Sequence, residues 1–167
     1  MAAISAGNLK LYLSGGAANA VQSASIGGAR STTTVATTAI FSDITGDQTS
    51  AGRTVYRCVY VRNEDANANG WISPYMWLST GAPATGVAVT IGLGAAAKNG
   101  TESAVADETT APAGVSFTAP TTKAGGIAVP TLSQNDFQAI WAKIVISAAA
   151  AAANVTFTLN IEGDTTA

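Results

Sequence analysis

Apolar and polar residues alternate with a period of two over several short stretches of this chain, the signature of half-buried β-strands. Near the C-terminal end Val155, Phe157, Leu159 and Ile161 alternate with Thr156, Thr158, Asn160 and Glu162, so one face of this strand meets a core and the other meets solvent. Val87, Val89, Ile91 and Leu93 alternate with Ala88, Thr90 and Gly92, and Leu9, Leu11 and Leu13 alternate with Lys10 and Tyr12. Two longer runs are apolar on both faces and are predicted to be central strands. Residues 53–62 (RTVYRCVYVR) set Val55, Val59 and Val61 against Tyr56, Cys58 and Tyr60, and residues 137–146 (FQAIWAKIVI) are rich in β-branched and aromatic side chains. Residues 71–79 (WISPYMWLS) are strand-like too, but Pro74 has no N–H to give a ladder, which places it at an edge or a bulge.

Between these runs lie Gly/Ser/Thr/Ala/Pro-rich stretches over residues 14–34, 42–52 and 94–114, long for the loops of a compact domain and therefore expected to carry contacts that partners order. The six alanines 148–153 read as a small-residue connection, because so short a stretch does not nucleate a helix on its own. No charged residue falls between Ile144 and Ile161, about the length of a membrane-crossing helix. Asn154 and the strict alternation after it argue instead for strand, loop and strand, so no membrane partner is expected. The chain fits one domain over residues 1–167. Short strands, turn signals between them and no amphipathic helix of convincing length predict an all-β, antiparallel β-sandwich with long Gly/Ser/Thr/Ala-rich loops, a jelly roll being one arrangement the pattern allows.

Charge changes the picture more than hydropathy does. Charged residues make up 11% of the chain, against about 25% in average soluble domains. Their places are taken by small neutral residues, with 35 Ala, 22 Thr and 17 Gly. Such a surface is poorly suited to remaining alone, because weakly polar patches associate; the competing explanation is a general bias of composition towards alanine. The net charge is −2 and the basic residues are scattered except at Arg53, Arg57 and Arg62, which change strand face between them and are expected to be solvated. A groove that tracks nucleic-acid phosphates needs a basic stripe instead. Cys58 is the single cysteine and histidine is absent, which excludes an intrachain disulfide and removes the usual zinc ligands. Cys58 is expected to pack as a small apolar residue. The first ten residues have neither a basic nor an apolar signal-peptide segment, so synthesis in a cytoplasm is the expectation.

Candidate chemistry is sparse. Without histidine, nucleophilic catalysis through an imidazole base is excluded. Asp43 with Asp47, Glu64 with Asp65, and Asp107 with Glu108 are the acidic pairs that two-carboxylate chemistry would need. All lie in polar stretches where carboxylates face water, so neither an enzyme nor a cofactor is expected. Asp65-Ala66-Asn67-Ala68-Asn69-Gly70 reproduces the start of a calcium loop, with oxygen ligands at positions one, three and five and glycine at six. Position twelve is Met76 instead of a bidentate glutamate, and an Asn/Gly-rich turn explains the same residues, so no metal is assigned. Trp71, Tyr75 and Trp77 fall on one face of their strand and are the candidate interface residues. If exposed they serve a subunit contact or a stacking platform for sugars; the alternative is core packing.

The segments LYLSGG (residues 11–16), SIGGA (25–29), FSDITGDQTSAG (41–52), YRCVYVRN (56–63), TIGLG (90–94), TAPAGVSFTAP (110–120) and FQAIW (137–141), taken together, resemble small virion structural proteins of tailed bacteriophages. The resemblance implies a structural virion component, most simply a capsid decoration (cement) protein. Its partners would be the major capsid protein and copies of itself, arranged as a homotrimer at the junctions between capsomers. A receptor- or carbohydrate-binding module on a tail or fibre is the alternative, although a coiled-coil stalk and repeated fibre motifs are absent from the sequence.

Overall fold

A computed structural model of the chain describes residues 4–35, 40–41, 46–67, 69–148, 150 and 156–165. Seven strands form where the alternation predicts five of them and part of a sixth: β1 (Leu9–Leu13), β2 (Arg53–Asn63), β3 (Trp71–Leu78), β4 (Val87–Leu93), β5 (Ile127–Ala128), β6 (Phe137–Ile146) and β7 (Leu159–Thr165). They build two antiparallel sheets, a four-stranded one ordered β1-β2-β6-β4 and a three-stranded one ordered β5-β3-β7. From β3 onward each strand lies in the opposite sheet from the one before it, so every connection after β2 crosses between the sheets. The fold is thus the expected all-β sandwich, with four strands against three where a jelly roll has two four-stranded sheets.

The two-sided strands occupy the centre of the larger sheet. β2 pairs with β6 over ten positions, from Arg53 opposite Ile146 to Arg62 opposite Phe137. Its Val55, Val59 and Val61 join Ile140, Ile144 and the β4 residues Val89 and Ile91 in the core between the sheets, which β3 closes with Trp71, Met76 and Leu78. Tyr56, Cys58 and Tyr60, on the other face, form a second cluster with Tyr12, Ala139 and Trp141. That outer cluster is roofed by loops, through Val105, Val115 and Phe117.

Pro74 sits at a bulge, as expected, but in the middle strand of its sheet. Ser73 takes φ +46 and the pairing of β3 with β7 slips between Ile72 and Tyr75. The backbone oxygen of Pro74 accepts from Val129 N at 2.7 Å, on the side where β5 ends, so the missing N–H breaks no ladder bond to β7.

Two expectations change. The stretch 42–52 contains a short helix, α1 (Gly46–Ala51), with Asp47 in its first turn and Gly52 (φ +73) ending it. The last strand starts at Leu159 and continues through Gly163 and Asp164 to Thr165, held by Trp71 opposite Thr165. Val155, Asp43, Ala68 and most of the alanine connection lie outside the described residues.

Candidate assembly surface

The long loops are built into the molecule. β1 covers β2 only from Val59 to Asn63, and beyond it loop carbonyls take over the edge: Cys58 N donates to Ser25 O and Tyr56 N to Glu108 O, both at 2.7 Å. Tyr60 ties the two longest loops together, its hydroxyl donating to Gly28 O at 2.7 Å and accepting from Glu102 N at 2.8 Å. Burial pushes that phenol up to about 12. The Glu102 carboxylate is itself buried and accepts from Ala95 N (3.1 Å) and Ala96 N (2.9 Å). Gly92 lets residues 115–118 cross the sheet at close range, since a Cβ there would meet Ser116 O and Val115 Cγ1 at 2.6 Å. Loop order therefore comes from within the chain.

Charge follows the same rule. Lys10 and Arg62 pair with Glu64 (3.1 and 2.6 Å), Lys98 with Asp136 (2.7 Å) and Lys123 with Glu162 (2.7 Å). Arg53 and Arg57, four residues apart and so on one strand face, converge on Glu108. Arg30 lies over the rings of Tyr12 and Phe137, and Lys143 over Phe117. All eight cations are thereby engaged. Of the three arginines expected in solvent, Arg53 and Arg62 are half-buried and Arg57 is only 4% exposed, a buried cation that the Glu108 carboxylate compensates. Of the acidic pairs expected to face water, Asp47 and Asp107 do so, whereas Glu64 and Glu108 are half-buried and Asp65 is buried. Glu64 accepts from Tyr12, whose hydrogen bond, reinforced by Lys10 and Arg62, holds it below the usual carboxylate range despite partial burial. Burial pushes Asp136 up, but the bonds from Lys98, Asn99 and Ser133 N outweigh it and hold the group low.

Few ionised groups remain outside. Among the described residues, those classed as exposed include only Lys10, Asp47, Lys98, Asp107, Glu162 and Asp164 with a charge, and most of the others are Ala, Ser, Thr or Gly. The loop face outside the four-stranded sheet is the plainest case, exposing Ala17, Ala18, Ala20, Val21, Ala104 and Ala106. Val21 is 54% exposed.

The three aromatic candidates separate. The bulge at Ser73 shifts the alternation, so Trp71 points into the core at 2% exposure while Tyr75 is exposed and Trp77 half-buried. A face shared by all three is therefore corrected to Tyr75 and Trp77, opposite Glu162 and Asn160 of β7. Asp65 is buried and serves as the acceptor of its own turn, from Asn8 Nδ2 (3.1 Å), Asn67 Nδ2 (3.4 Å) and Asn69 N (3.3 Å). Met76, at the twelfth position, is wholly in the core. Among the described residues no group of three or more His, Cys, Asp or Glu side chains is placed to hold a metal.

No protein-family model matches the chain, and neither a characterised protein nor a solved structure is significantly similar to it.

Proposed function

We propose that the protein is a structural component of a virion, a capsid decoration (cement) protein that binds an assembled head and its own copies and stabilises the shell through repeated contacts. The observation that carries this reading is the disposition of charge: the cations are consumed by the chain's own carboxylates and rings, and the remaining exterior is largely small and neutral. A surface of that kind meets little electrostatic opposition when copies approach one another or a shell. The resemblance of the turn and strand segments to phage virion proteins supports the same reading, and localisation to the virion after synthesis in the host cytoplasm follows from it.

Quantitative mass spectrometry of purified particles that encode this chain tests the proposal. A shell role requires on the order of hundreds of copies per particle, because closed symmetry repeats the site. Absence from particles, or failure of the purified chain to add to particles lacking it, overturns the reading. The exposed Tyr75 with half-buried Trp77 beside Asn160 and Glu162 keeps a sugar-binding tail module as a second reading, which predicts a few to tens of copies and binding on a glycan array.

A further inference from the structure

The outer edge of β7 differs from the other three sheet edges. The free side of β1 is bonded by residues 31–35, with Leu13 N to Thr33 O at 3.0 Å and Val35 N to Leu11 O at 2.8 Å. That of β4 is bonded by Gly81 O and Thr118, and β5 is only two residues long. Along β7, no bond from any other described residue reaches the side facing away from β3. Ser79 N donates to Thr158 O at 2.8 Å, so the even-numbered residues turn their backbone groups towards β3. By alternation Leu159, Ile161 and Gly163 turn theirs outward.

A second observation coincides with it. Phe157, Leu159 and Ile161 pack against the central core yet remain half-buried, whereas Met76 and Leu78 of the neighbouring β3 are fully covered. A strand laid along β7 would satisfy the backbone and complete this cover at once.

We propose that the occupant is β7 of a second copy, paired antiparallel about a two-fold axis at Ile161 and joining the two three-stranded sheets into one of six. The sequence of the edge is self-complementary in that register. Ile161 meets its own copy and Leu159 meets Gly163 on the core side. On the outer side Asn160 faces Glu162 and Thr158 faces Asp164, so each carboxylate meets a hydrogen-bond donor. Moving the axis to residue 162 would set Glu162 against Glu162, which like-charge repulsion disfavours. The pairing stands independently of the shell reading and is distinct from the three-fold arrangement expected at capsomer junctions. A seam of one strand edge falls short of the roughly 1,600 Å² buried by a stable pair, so it is a weak contact that copies held side by side consolidate.

Amide exchange and sedimentation of the full chain over a concentration series test the pairing. The Leu159, Ile161 and Gly163 amides should slow by at least about tenfold as the dimer forms. Asn160→Glu, on the outer face, should abolish both changes by setting two carboxylates opposite each other. Adding Glu162→Lys should restore them, because the introduced carboxylate of one copy then faces the introduced ammonium of the other. Concentration-independent exchange at the three amides, unchanged association of Asn160→Glu, or failure of the double variant to recover overturns the proposal. If Asn160→Glu does not fold by circular dichroism, the three amides of the unaltered chain decide alone.

Discussion

Removing one oxygen atom, in Tyr60→Phe, tests whether the loops are held from within. The hydroxyl lies at the meeting point of β2 and the two longest loops, giving to Gly28 O and taking from Glu102 N, while Gly28 N donates to Glu102 O at 2.9 Å. Phenylalanine keeps the edge-on packing against Phe137, whose ring centre lies 5.6 Å away, so the change isolates the polar part. It leaves a buried N–H and a partly buried C=O without their partner, each worth about 1–3 kcal/mol when stranded. Because the Gly28 carbonyl reaches some solvent, the sum is set at about 2–3 kcal/mol, or roughly 4–12 °C in Tm for a chain of this length. Urea unfolding measures the loss, and amide exchange at residues 26–29 and 101–105 locates it. A loss under about 0.5 kcal/mol with unchanged exchange would refute the argument, since typical intact hydrogen bonds contribute more than that.

Trp71→Ala should cost about 3–5 kcal/mol by emptying core volume, and Trp77→Ala well under half of that, as read by urea denaturation. Gly92→Ala should destabilise by about 1–3 kcal/mol through the clash with residues 115–116, and equal stability would show that this crossing yields freely. Glu64 and Asp136 are depressed in the folded chain, so their stabilisation is complete above the unfolded values of 4.5 and 3.8 and drains away as pH falls through the folded ones. Calorimetry should therefore show Tm falling in that acid window, less steeply for Glu64→Gln, and nearly level from about pH 6 to 8 because no histidine titrates there. Burial raises the Cys58 thiol far above its ordinary value, so its labelling by a disulfide reagent should follow global unfolding; rapid labelling of the native chain would contradict its place in the outer cluster.

Elements whose side chains obey one alternation throughout were legible in the sequence. β2 and β6 show it best, because a strand apolar on both faces has to be covered twice, and the two clusters on either side of their sheet are that cover. Where a single residue interrupts the period the reading failed. Ser73 adds one position to β3, which sends Trp71 inward and leaves Tyr75 outside, and nothing in the spacing of the three aromatics reveals that slip. Pro74 announced an irregularity without saying on which side it fell. Charge partners were invisible for a different reason: Arg53 and Arg57 meet Glu108 across more than fifty residues, a proximity created by the loop lying along β2.

That proximity bears on the function proposed. Partly exposed ion pairs usually add between 0 and about 1 kcal/mol each, so stability alone is a weak account of why six of the eight cations sit against carboxylates. Their larger effect is on the field outside the molecule. A cation beside its carboxylate projects a dipole that fades within a few ångströms, whereas an unpaired one repels or attracts across a Debye length of about 8 Å at physiological salt. Pairing at the rim of the loops and beside β7 therefore shortens the reach of the field over those surfaces, and with it the repulsion a second copy would meet there. Long-range repulsion is what commonly keeps a soluble domain apart from its copies, and this chain has very little of it.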